Sequence, residues 1–244
     1  MMTLIGNEFT KLRTVRGPWV LLAIQQAVII AGVSGIATAA GDLTSRRMMF
    51  GLLSHAGVAS AILTLVLGIT AVAGEYRHKT ITDTLLATPR RGRVVAAKLA
   101  AYTIAGVGLG VISAVTGLLT TGAWRYAEGA RLDLTDSGVW RIVAGIVALN
   151  AAYAAIGVSL GALVRNITGT VIVALTWIAL VETTVSNLLG DLGRWLPNRA
   201  GMALNDMPAA GALLPQWGGG AVLLGYAGLI AAAALATTVR RDVT

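Results

Sequence analysis

The chain has 244 residues, of which 56% are hydrophobic and only 12% charged, and it carries a net charge of +8. Soluble domains hold roughly a quarter charged residues, so a mean hydropathy of +0.75 excludes an ordinary water-soluble globule and predicts an integral membrane protein. Disulfides and thiolate metal sites are excluded by the lack of cysteine, a histidine cluster by having only His55 and His78, and a base-stacking platform for nucleic acid by 5% aromatics.

Residues 3–16 predict a helix lying on the membrane, with Ile5, Phe9, Leu12 and Val15 on one face and Glu8, Lys11 and Arg16 turned away from it. Pro18 then predicts a change of direction. Ala37-Thr38-Ala39 has the form of a signal-peptidase site, but the apolar run 19–40 exceeds the ~7–15 residues of a signal-peptide core. At a rise of about 1.5 Å per residue, about 20 residues cross the hydrocarbon. Six runs qualify: 19–40, 51–73, 99–123, 142–163, 168–188 and 221–239. The expected fold is therefore all-α, a single transmembrane domain of six helices over 1–244.

An even number of spans puts both termini on one side. Lys11, Arg13, Arg16, Arg77, Lys79, Arg90, Arg91, Arg93, Lys98, Arg165, Arg240 and Arg241 fall on that side. The other holds Arg46, Arg47, Arg125, Arg131, Arg141, Arg194 and Arg199, nearly neutralised by Asp42, Glu128, Asp133, Asp136, Asp191 and Asp206. The basic excess stays inside, which places both termini in the cytoplasm of a multi-pass cell-membrane protein. Residues 189–220 are too polar for a seventh span and too apolar for a solvated loop. They predict short outer interfacial or re-entrant helices broken at Pro197, Pro208 and Pro215, with Trp195 and Trp217 at headgroup level.

Within the spans Glu182 is the one acidic residue. A carboxylate there is costly enough that it should face a partner or a water-filled substrate path; alternatively it lies near enough the outer end to reach water or pair with Arg141. Gln25, Gln26 and Asn150 are uncharged candidates for the same path, or simply interhelical hydrogen-bonding groups. Gly157-Val-Ser159-Leu-Gly161 and Gly32-Val-Ser34-Gly35 have the outline of hydrolase motifs, with His55 as a conceivable base. The first lies mid-span instead of on a strand-to-helix turn, and no further polar group completes a constellation. Close helix packing accounts for Gly106/Gly110 and Gly157/Gly161 at GxxxG spacing. Asn166-Ile167-Thr168 is a formal sequon on the inner side, where it reads as a helix cap.

The stretch 74–98 is polar and basic between two spans, yet contains Ile81, Leu85 and Leu86. A short helix closed by Thr88-Pro89 and docking into a groove on another protein would need such leucines; one resting on anionic lipid would also use them. The order of Glu75, Lys79-Thr80-Ile81, Leu85-Leu86, Thr88-Pro89-Arg90-Arg91, Val94-Val95 and Lys98 resembles the corresponding loop of type-2 ATP-binding-cassette exporter permeases. The resemblance continues through the N-terminal helix, six spans and Leu196-Pro197 before the last. It implies that Thr82, Asp83, Thr84, Leu85, Leu86 and Ala87 form the coupling helix that enters a cleft in an ATPase subunit, and that Glu75 and Arg77 transmit the motion at the mouth of the second span.

No Gly-Lys pair of a phosphate-binding loop occurs. The chain is thus expected to have no ATP site or cofactor of its own, ATP and magnesium belonging to a separate ATPase subunit. The family implies two such subunits with two permease chains, here a homodimer in a bilayer without nucleic acid. The sparsely charged spans favour an amphiphilic or apolar cargo such as a drug, peptide or lipid. The Ala, Gly, Val and Arg usage suggests a bacterial inner membrane. The competing expectation is a non-transporting scaffold or sensor that anchors a cytoplasmic partner through the same loop.

Overall fold

The computed structural model describes residues 2–77, 91–208 and 211–240, and among these there is helix but no strand. The helices are α1 (Met2–Thr14), α2 (Arg16–Ala39), α3 (Arg46–Arg77), α4 (Arg91–Ala127), α5 (Ser137–Val164), α6 (Ile167–Thr176), α7 (Glu182–Leu189), α8 (Pro197–Leu204) and α9 (Gln216–Arg240). A π turn at Trp177–Val181 joins α6 to α7, and a 3-10 turn at Gly190–Trp195 precedes α8. Six stretches are long and apolar enough to cross a membrane: Arg16–Ala39, Arg46–Arg77, Gly92–Ala127, Ser137–Val164, Ile167–Ser186 and Gln216–Thr237. Each coincides with one predicted run.

The boundaries differ in an instructive direction. Hydropathy registers only the apolar middle of a helix, whereas Arg, Lys and Ala propagate the helix on either side. Accordingly, much of the stretch assigned to a loop at 74–98 is helical, its first residues closing α3 and those from Arg91 opening α4. The predicted coupling residues Thr82 to Ala87 lie outside the described residues. The break between α1 and α2 falls at Val15, which is extended, and not at Pro18. Pro18 sits inside the first turn of α2, where a missing N–H breaks no helical bond. Arg16 accordingly belongs to α2.

α3 and α5 form the centre. Of their apolar windows 61% and 72% are buried, against 17–28% for the other four. Lipid tails are as apolar as the side chains, so these helices associate through close packing and not through the hydrophobic effect. Glycine makes the approach possible: a Cβ on Gly161 would lie 2.7 Å from the Ile69 carbonyl oxygen, and one on Gly68 would lie 2.5 Å from that of Ala154. Gly106 and Gly110 do the same between α4 and α5, where a Cβ would come 2.7 Å from the Asn150 oxygen and the Val147 Cα respectively. Both GxxxG pairs are therefore packing seams. Ser159 donates to the carbonyl of Ala155 within its own helix at 2.8 Å, Ser34 accepts from the Trp124 indole at 2.9 Å, and the His55 ring fills the space over Gly32.

Asp136 caps α5 through the N–H of Gly138 at 2.8 Å and takes a two-pronged ion pair from Arg46 at 2.6 and 2.9 Å. Arg125, counted above only as a loop cation, is buried and donates to the carbonyls of Leu43, Thr44, Ser45 and Arg131, tying the loop before α3 to the loop after α4. Residues 189–220 divide as expected into short helical pieces, but Pro197 opens α8 at its N1 position where the sequence reading had it break a helix. Ala200, Gly201, Ala203 and Leu204 are buried, and α8 packs between Leu149 and Tyr153 of α5 and Gly219 of α9. Trp195 and Trp217 remain exposed beside it.

Candidate functional site: buried charged and polar clusters between the helices

Lys98 lies on the first turns of α4 and is 1% exposed. Its Nζ meets Glu8 Oε2 at 2.8 Å and Glu75 Oε1 at 2.7 Å. Lys11 bridges the same two carboxylates, at 2.9 Å to Glu8 Oε1 and 2.7 Å to Glu75 Oε1. Two cations and two anions thus close a neutral ring between α1, the end of α3 and the start of α4. Burial works against the Lys11 ammonium, but its hydrogen bonds to Glu75 and Glu8 outweigh it and raise its pKa. Glu75 Oε2 is buried and has no hydrogen-bond partner among the described residues.

The sequence placed Glu75 here and missed Glu8, which it turned outward. At 100° per residue Glu8 falls between Leu12 and Val15 on the stripe that also holds Ile5 and Phe9. Ile5, Phe9 and Leu12 pack on the core beside Ala101 and Tyr102, so Glu8 goes in with them and Lys98 is its counter-ion. The signal was present: an acid three residues from one apolar anchor and four from another. Arg77, the second predicted transmission residue, is exposed and outside the ring.

A second cluster lies deeper. Gln25 Nε2 of α2 donates to Ser113 Oγ of α4 at 2.9 Å and reaches Asn150 Oδ1 of α5 at 3.5 Å. Thr64 Oγ1 of α3 donates to Asn150 Oδ1 at 2.6 Å, and Asn150 Nδ2 donates to Ser60 Oγ at 2.8 Å. Every side chain in this set is buried. Gln25 and Asn150, predicted separately, therefore meet, and they spend their polar groups on neighbouring helices. Gln26 accepts from Thr116 at 2.7 Å.

Glu182 stands apart from both clusters. It is 1% exposed and its Oε1 accepts from the backbone N–H groups of Asn198 and, at 3.1 Å, Arg199, at the start of α8. Arg141 is not its partner among the described residues and approaches Asp206 instead, at 3.6 Å. The carboxylate closes the positive end of α8. Its register depends on the π turn. Thr170, Ala174, Glu182 and Ser186 are buried at multiples of four residues, a spacing that in an unbroken α-helix drifts by about 160° over 16 residues. The extra residue of the π turn takes up most of that drift, and such turns concentrate at functional sites. Asn166 behaves as the sequence predicts, accepting from Gly169 N–H at 3.0 Å as the cap of α6.

The geometry defines an all-helical, multi-pass membrane chain with one buried ring of paired charges, Glu8, Lys11, Glu75 and Lys98, between α1, α3 and α4. No protein-family model matches it, and a search of curated proteins also finds no match.

Proposed function

We propose that this chain is the membrane subunit of an ATP-driven exporter, powered by a separate ATPase and working as a homodimer with two ATPase copies. One observation carries the reading most of the way. The two helices that flank residues 78–90 are joined by the Glu75–Lys98 pair, and both are pinned to α1 through Glu8 and Lys11. A push delivered to Thr82–Ala87 by a docked partner would move α1, α3 and α4 as one body, and α3 is central to the bundle. Movement of that kind suits alternation between inward and outward openings. The cargo that fits the sparsely charged spans is amphiphilic or apolar.

Replacing Leu85 and Leu86 together with glutamate should uncouple ATP turnover from transport in vesicles while leaving the helix content unchanged. Transport at the original rate in that double variant would remove the coupling role. A non-transporting scaffold or sensor is the second reading, and a specific observation favours it: Gln25 and Asn150 are satisfied inside one chain and do not face a cavity. Measured efflux of any substrate separates the two readings.

A further inference from the structure

A cleft of about 750 Å³ lies between the α1–α2 elbow and α3, bordered also by Tyr102 of α4 and Ile167 of α6. Its size and its mostly apolar lining with a few polar groups are those of a site for a small organic molecule. Val15 and Val20, both in the lining, are exposed, so an alkyl chain can enter past them. Two of the polar groups have bonding capacity left. The Lys11 ammonium carries three N–H groups and spends two, on Glu8 and Glu75, while its side chain is 44% exposed. Tyr102 lines the same cleft and is only 6% exposed. Its hydroxyl makes no hydrogen bond among the described residues, yet it is not sealed inside the packing. Side-chain polar atoms this deep are normally paired, and packing alone would be served by phenylalanine. The tyrosine oxygen therefore points to an occupant of the cleft.

Charge balance selects the kind of occupant. Lys11 and Lys98 are matched by Glu8 and Glu75, so the ring offers no net charge to a charged headgroup, and a charge brought beside hydrocarbon without a counter-ion is costly. An alcohol can donate to the Tyr102 oxygen, and an ester carbonyl can accept the third N–H of Lys11. We propose that the cleft is a binding site for an uncharged amphiphile of the diacylglycerol type, with its hydroxyl at Tyr102, an ester carbonyl at Lys11 and its chains against Leu21 and Leu67. The proposal stands apart from the exporter reading, since its test needs neither an ATPase nor transport.

The test is native mass spectrometry of the purified chain in mild detergent, titrated with dioctanoylglycerol, with its acetate ester, which cannot donate, or with dioctanoyl phosphatidic acid. The expected result is one dioctanoylglycerol per chain, held about fivefold more tightly than the acetate, as loss of one hydrogen bond implies, and more tightly than the phosphatidic acid. Tyr102→Phe breaks no hydrogen bond among the described residues and should erase the preference for the alcohol over the acetate. A Cβ on Gly17, in the lining of the cleft, would meet no atom within 4 Å, so Gly17→Trp should fold and block all three probes. The comparison of alcohol with acetate is made on the parent chain and decides the matter alone if a variant fails to fold by circular dichroism. Equal retention of alcohol and acetate, tighter binding of the phosphatidic acid, a preference that survives Tyr102→Phe, or unchanged binding in Gly17→Trp would overturn the proposal.

Discussion

Lys98 has nowhere to place its charge except between Glu8 and Glu75. Removing one partner of a buried pair strands the others, at about 3–5 kcal/mol, so Lys98→Met should lower the detergent melting temperature sharply and free α1 for proteolysis. A melting curve within a degree or so of the parent would mean that the ring contributes little. Asp136 gives a pH signature at the start of α5. Its hydrogen bonds from Arg46 and Gly138 hold its pKa down at about 2, below the ~3.9 of a free aspartate. A depressed carboxylate stabilises the fold fully above the unfolded value, and that contribution is lost as the pH falls from about 4 toward about 2. Asp136→Asn should therefore flatten the acid limb of the stability curve in that window; an identical limb in the variant would rule Asp136 out as its source. Single residues are also where sequence and structure part most. Glu8 and Arg125 look like surface charges in one dimension, because what buries them is a counter-ion 90 residues away in the first case and the carbonyls of two loops in the second.

At the scale of elements, the six spans were legible because a bilayer imposes a length on any apolar run. Gly157 and Gly161 were legible as a seam for a similar reason: in lipid, small residues are what bring helices together. The orientation of α8 was not legible, since its inward face depends on Glu182 accepting from Asn198 and Arg199 across the chain, and Glu182 depends in turn on a π turn that no periodicity announces. Glu182→Leu would leave those two N–H groups without an acceptor, at about 1–3 kcal/mol. Hydrogen exchange at Asn198 and Arg199 should speed up in this variant and much less in Glu182→Gln, which keeps an acceptor oxygen. Unchanged exchange in both would show that α8 is held by its apolar face alone. Gly161→Leu should prevent α5 from meeting α3 and abolish folded protein, read as loss of a monodisperse peak on size exclusion.

For the whole molecule, the division of labour is plain in the packing: α3 and α5 form the buried centre, and α2, α4, α6 and α9 present apolar faces outward. The ionic ring sits where α3 and α4 border residues 78–90 and ties both helices to α1. That arrangement, together with the resemblance of the 74–98 stretch to exporter permeases, is what supports an ATPase-driven role over a passive anchor. The measurement that bears on it most directly is affinity purification of the tagged chain in mild detergent, followed by identification of whatever remains bound. The account predicts an ATPase with a phosphate-binding loop, in equal copy number, that is lost when Leu85→Glu is introduced. A chain that purifies alone under several detergents, or a partner that survives Leu85→Glu, would contradict it.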